Sequence, residues 1–213
     1  NKVIVGISGG EYQTRGFIDA FDPVSGERIW RFNTIPGPGE PGSESWPNDP
    51  QVLAQGGGGT WMNGSFDPDL NLIYWGVGNP NPDYYDETRP GDNLYTDSLV
   101  ALDANTGELR WHYQFTPHDV NDWDSNHMPV LANVEWRGEE RRVVMVGNRN
   151  GFFYVLDRVT GEFLLGEPFT ATTWAREIGE DGRPVVLNDG SLGCLPDPWG
   201  STNFYPPTFM PSL

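Results

Sequence analysis

With 213 residues the chain is long enough for one large or two small domains and a sizeable core, because single domains run to roughly 100–200 residues. Thirteen Lys and Arg against thirty Asp and Glu leave a net charge of −17, which repels phosphate backbones and anionic membrane surfaces; it argues against nucleic acid or lipid partners and leaves a basic partner or a cation open. Nine Trp, 13% aromatic and 37% hydrophobic content exclude a mainly disordered chain, and 27 Gly with 19 Pro favour short strands and many turns over long helices.

The opening NKVIVGISGGEYQ has neither the basic n-region nor the apolar h-region of a signal peptide and reads as a strand already in progress. Glu11, within SGGEYQTRG, follows small residues that would let a ligand approach the backbone, although a lone Glu at a turn is ordinarily just exposed. FIDAFDPVSGERIWRF (17–32) then reads as a hairpin reversing at D-x-x-S-G. It aligns without a gap with SLVALDANTGELRWHY (98–113) and FFYVLDRVTGEFLLGE (152–167). In each, Asp22, Asp103 or Asp157 can accept backbone N–H bonds in the turn, and Gly26, Gly107 or Gly161 can take a positive φ. Trp30 and Trp111 hold equivalent places, with Leu165 in the third copy, and are expected to pack between neighbouring sheets.

The Pro/Gly-rich segment 35–50 is a loop, and GGGGTW (56–61) lacks the Gly-Lys-Ser/Thr ending of a phosphate loop, so its glycines serve close approach with Trp61 offering a flat face. GSFDPDLNLIYWG (64–76) is a weaker fourth hairpin, and 79–93 is a second long loop of the kind that often carries function. In PHDVNDWDS (117–125), Asp119, Asp122 and Asp124 crowd one loop. If it is extended, Asp122 and Asp124 point to one side and could share a hard cation or supply a base; a plain solvated acidic loop is the alternative. His112, His118 and His127 lack a zinc-binding spacing, no G-x-S-x-G elbow is present, and the lone Cys194 excludes an internal disulfide framework. No run of about 18 apolar residues exists, so no membrane-spanning helix is expected. The end, TNFYPPTFMPSL (202–213), breaks off where a turn is due, and the chain is expected to be a piece of a longer protein. Recurrent hairpins at spacings of several tens of residues mark a β-propeller or β-solenoid, with the propeller preferred.

Taken in order, these motifs resemble those of the pyrroloquinoline quinone (PQQ) dependent alcohol dehydrogenases of the methanol/ethanol type, which are eight-bladed propellers of the bacterial periplasm. The resemblance covers nearly the whole chain and is looser over 166–213. The A-x-D-x-x-[ST]-G-x-x-x-W repeats look like that family's tryptophan-docking motif. SGGEYQTRG resembles its metal-binding segment, which implies Glu11 as a ligand and Ser8 near a PQQ carboxylate. YWGVGNPNP implies Asn79 as a second metal ligand, and GGGGTW implies Trp61 as the floor beneath the quinone. TPHDVNDWD implies Asp122 as catalytic base, and GNRNGFFYVLDR implies Arg149 at the redox carbonyls.

The resemblance makes all 213 residues an incomplete part of one all-β propeller domain, acting with its remaining segments or as a homo-oligomer. It implies oxidation of a primary alcohol to an aldehyde, with electrons leaving to a c-type cytochrome in the periplasm. Asp124, two residues after the base, is the position at which lanthanide-using members carry a second Asp and calcium members a small residue; a trivalent ion needs more oxygen ligands and charge than Ca²⁺. Asp124 as a loop cap is the structural alternative. A cofactor-free propeller scaffold is the competing function, but it has no reason to keep Glu11, Asn79, Asp122 and Arg149 together. A sugar or polyol dehydrogenase is a third reading.

Overall fold

The structure is a computed structural model and describes residues 1–187 and 193–210; the last three residues of the terminal segment fall outside that range. Among the described residues, thirteen strands form four antiparallel sheets, each an up-and-down meander. The first holds β1 (Val3–Gly6), β2 (Phe17–Phe21) and β3 (Arg28–Asn33). The second holds β4 (Ser65–Asp67), β5 (Leu72–Gly76), β6 (Ser98–Asp103) and β7 (Leu109–Gln114). The third holds β8 (Val130–Trp136), β9 (Glu139–Gly147), β10 (Phe152–Asp157) and β11 (Phe163–Pro168), and β12 (Ala175–Ile178) pairs with β13 (Pro184–Val186) in the fourth. One five-residue helix, Pro50–Ala54, is capped by the Asp49 side chain.

The three repeats are superimposable hairpins down to their irregularities. The carboxylates of Asp22, Asp103 and Asp157 each accept two backbone N–H groups of the turn. Gly26, Gly107 and Gly161 sit at φ 73°, 74° and 80°. Each hairpin carries a register shift at the same place, between Ala20 and Phe21, Ala101 and Leu102, or Val155 and Leu156. The fourth hairpin closes through Asp67, which accepts from the N–H groups of Asp69 and Leu70.

Sheets stack face to face because the strands of the second are apolar on both sides. Leu72, Tyr74, Leu99 and Ala101 point into one core shared with the third sheet, while Ile73, Trp75, Val100 and Leu102 point into another shared with the first. Period-two alternation in a strand buried on both faces produces this division. The docking tryptophans close the stack. Trp30 reaches across from the first sheet so that a Cβ at Gly107 would lie 2.6 Å from its ring, and its Nε1 donates to Ala104 O at 3.3 Å. Trp111 does the same over Gly161, donating to Arg158 O at 3.3 Å. The Arg158 guanidinium ties these two sheets again, donating to Asp67 Oδ2 at 2.6 Å. These are consecutive propeller blades.

Meander topology also sorts the loops. The D-x-x-[ST]-G turns all join the last two strands of a sheet, whereas loops between its middle strands and those leading to the next sheet leave from the opposite end. Every site residue read from the sequence lies on that opposite end: Ser8 and Glu11 (β1–β2), Trp61 (β3–β4), Asn79 (β5–β6), Asp122 and Asp124 (β7–β8) and Arg149 (β9–β10).

Substituting Ala at the turn glycines separates conformational cost from docking. Gly26→Ala meets nothing within 4 Å and should cost roughly 1–2 kcal/mol for its positive φ alone. Gly107→Ala and Gly161→Ala must also displace an indole and should cost about 1–3 kcal/mol more. Urea midpoints of the three variants measure the difference, and equal losses would show that the indole contact carries no weight.

Candidate active site

The frame of the site is backbone. Residues 56–60 run between the β1–β2 and β5–β6 loops and bond to both: Gly57 N donates to Thr14 O, Gly16 N to Gly57 O and Thr60 N to Ile7 O on one side, and Gly58 N donates to Asn79 O and Gly78 N to Gly59 O on the other. A Cβ at Gly57 would stand 2.8 Å from Asn79 O, so the glycine run serves approach of chain to chain.

The acidic loop departs from the extended form expected from its spacing. Asp119 turns inward, its carboxylate accepting from Asn121 N at 3.0 Å and Trp123 N at 2.9 Å, and Trp123 is fully buried with Nε1 on Asp197 O at 3.0 Å. Asp122, held between these anchors, adopts a left-handed φ of 60°. Asp119 is thus a loop-forming residue, while Asp122 and Asp124 both face Arg149.

Asp124 is buried. Its Oδ1 accepts from Asn79 N and Asn126 Nδ2, both at 3.2 Å, and its Oδ2 accepts from Arg149 Nη1 at 2.9 Å. A Cβ at Gly78 would fall 2.1 Å from Oδ1, so only glycine leaves room for this carboxylate. The Trp61 indole lies beside it and, with Ser8 and Trp75, lines an open cleft. Arg149 Nη2 stands 3.9 Å from Asp122 Oδ2 and also donates to Pro198 O, while its Nε is buried without an acceptor among the described residues. The Arg149 turn is pinned by its neighbours, Asn148 donating to Ser125 Oγ and Asn150 to Phe115 O and Thr116 Oγ1.

Asn79 is buried and Glu11 is exposed on a single 3-10 turn, Gly10–Tyr12. A Cβ at Gly10 would lie 3.7 Å from Asn79 Oδ1, which brings the Glu11 turn beside that amide. Among the described residues no three His, Cys, Asp or Glu side chains stand close enough to hold an ion by themselves. Asp124 pairs with Arg149, and Glu11 is exposed. The chain's donor set still fits a hard cation, because it offers carboxylates together with the Asn79 amide oxygen, and no donor among the described residues occupies that amide oxygen.

Burial and charge crowding push the carboxyl groups of the site upward. Burial, then Asp124, raises Asp122 to about 7, with Arg149 opposing. Burial raises Asp119 to about 6 and pushes Asp124 up against the pull of Arg149. Four residues escaped the sequence reading. Asp83 accepts from Asn79 Nδ2 at 3.0 Å and is raised by burial, then by Glu11 and Asp124. Tyr84 Oη stands 3.4 Å from Asp122 Oδ2. Arg89, fully buried, donates to Pro82 O, Asp83 O, Asn93 Oδ1 and Asp119 O, locking two loops together. Asp97 is fully buried with both oxygens unpartnered among the described residues, and burial followed by Asp119 raises it well above the usual range. Their only sequence signal is membership of the 79–93 loop, or, for Asp97, a place at the foot of β6.

Residues 1–169 match the family described as glucose/ethanol/alcohol dehydrogenase, beta-propeller domain, a PQQ family. The chain belongs to this family. It is 39% identical over 227 residues to the quinohemoprotein alcohol dehydrogenase of Comamonas testosteroni, covering 99% of this chain and 32% of that protein. The crystal structure of that enzyme superimposes with a TM-score of 0.92, covering 99% of this chain and 34% of the other. The quinoprotein alcohol dehydrogenase PedH of Pseudomonas putida is 38% identical, covering 98% of this chain and 38% of that protein. A europium-containing methanol dehydrogenase matches with a TM-score of 0.92 at 34% identity, covering 99% of this chain and 41% of that one. The chain therefore spans about a third of the length of the curated PQQ dehydrogenases it resembles.

The raised Asp122 sets a pH test for this member of the family. Its folded pKa of about 7 lies above the unfolded value of about 3.9, so wild type binds an extra proton when folded and loses stability as pH rises from about 4 to about 7. Asp122→Asn removes that contribution. Urea unfolding of the metal-free proteins at pH 5 and pH 8 should show the variant gaining on wild type at the higher pH.

Proposed function

We propose that the protein carrying this chain oxidises a primary alcohol to an aldehyde, with PQQ and a bound Ca²⁺ or lanthanide(III) ion. The observation that supports the reading is the meeting of Asp122, Asp124 and Arg149 beside Asn79, on three loops of two consecutive blades of a PQQ-family propeller. When bound, PQQ would supply the acceptor for the two electrons that leave the alcohol carbon as hydride, and the cation would supply fixed positive charge.

Glu11, Asn79, Asp122 and Asp124 would hold the ion. Asp122 would take the hydroxyl proton at its carboxylate, which a nearby cation returns to the ionised form that a base requires. Arg149 keeps a guanidinium where negative charge develops during oxidation, its position fixed by Asp124 and Pro198 O. Trp61 and Ser8 line the cleft that suits a planar, carboxylated ring system. Ordinary function would hand electrons to a c-type cytochrome, whose basic face suits the net charge of −17, in the periplasm. No described helix is long and apolar enough to cross a membrane.

Asp122→Asn in the full-length protein should lower dye-linked alcohol oxidation by about 10²–10⁴-fold while PQQ stays bound. Absorbance of the bound cofactor and steady-state rates measure both, and retained turnover would remove Asp122 from the base role. Asp124→Ala should weaken lanthanide-supported activity far more than calcium-supported activity, read as rates in each metal after chelation; equal losses would deny Asp124 a part in choosing the ion.

A further inference from the structure

We infer that Asp83 is a positioning residue that aims the Asn79 amide, holding its NH₂ end so that Oδ1 alone is presented for a cation; this rests on the reading of Asn79 as a metal ligand. Asn79 Nδ2 donates to Asp83 Oδ1 at 3.0 Å and to Pro80 O at 3.1 Å. Both amide protons are therefore committed within one loop.

A flipped amide would set its oxygen against a carboxylate oxygen and a carbonyl oxygen, losing both bonds and adding two repulsions. The orientation thus follows from the acceptors around it. No donor among the described residues reaches Oδ1, which faces the Gly10–Tyr12 turn that carries Glu11. Without Asp83, Pro80 O would be the amide's sole acceptor and the side chain would be free to turn.

Asp83 is itself held from below. Its carbonyl accepts from Arg89 Nη2 at 3.1 Å and that of Pro82 accepts from Arg89 Nε at 2.8 Å, so the fully buried Arg89 fixes the loop from which the carboxylate projects. The resulting chain of contacts runs from Arg89 to Asp83 to Asn79, and Asp83 acts through the amide. Outer partners that orient a metal ligand typically contribute 10–100-fold in metal affinity.

The test uses full-length protein freed of cofactor and metal, with Tb³⁺ as the probe and its luminescence excited through the tryptophans. Asp83→Ala and Asp83→Ser, too short to reach Nδ2, should weaken Tb³⁺ binding by about 10–100-fold. Asp83→Asn, whose Oδ1 can still accept from Nδ2, should recover most of that loss. Unchanged affinity in the Ala and Ser variants would overturn the inference. Equal loss in Asp83→Asn would also overturn it, because charge would then matter in place of the hydrogen bond. Failure of the wild-type protein to bind Tb³⁺ would instead remove the cation site, and this role of Asp83 with it.

Discussion

An indole from one sheet lying flat on a glycine in the turn of the next is the contact on which the rest depends. It works only because Gly107 and Gly161 combine a positive φ with the absence of a Cβ, and because each ring finds a carbonyl for its N–H. The contact fixes the pitch between neighbouring sheets at one end of the strands. The loops at the other end inherit that spacing, and residues far apart in the chain meet there without any strand of their own to join them.

At that meeting place the fold tolerates a charge arrangement that it does not neutralise by itself. Asp83, Asp97, Asp119, Asp122 and Asp124 all titrate high, and Arg149 and the buried Arg89 are the cations set among them. Arg149 meets Asp124 directly and Asp122 at longer range, while Arg89 gives its donors to carbonyls and an amide, holding loop shape more than balancing charge. Such an imbalance is unfavourable in an isolated protein and sensible in one whose site receives a positive guest.

The repeats made the architecture legible. D-x-x-[ST]-G with an apolar strand on either side encodes a local hairpin, whose turn is held by hydrogen bonds between residues two and three apart. The site was legible only as a set of residues: Glu11, Asn79, Asp122, Asp124 and Arg149 reach one end of the blades, but the left-handed turn at Asp122 and the Arg149–Asp124 pair depend on anchors such as Trp123 and Asn148, which carry no chemical signal in a linear sequence. Asp83, Tyr84 and Arg89 went unread for the same reason. Their importance lies in what they hold, and an isolated acid or arginine in a Pro-rich loop has no periodicity to give it away.

The strip of four glycines bears on how such a pocket can change. Its contacts to both flanking loops run through main-chain atoms, so neighbouring side chains can drift without disturbing it, whereas any side chain within it would wedge the loops apart. Tyr84 and Tyr85, which stand in solvent at the rim, face no such restriction. Diversification toward new guests is therefore channelled to the mouth of the cavity, and its base stays frozen.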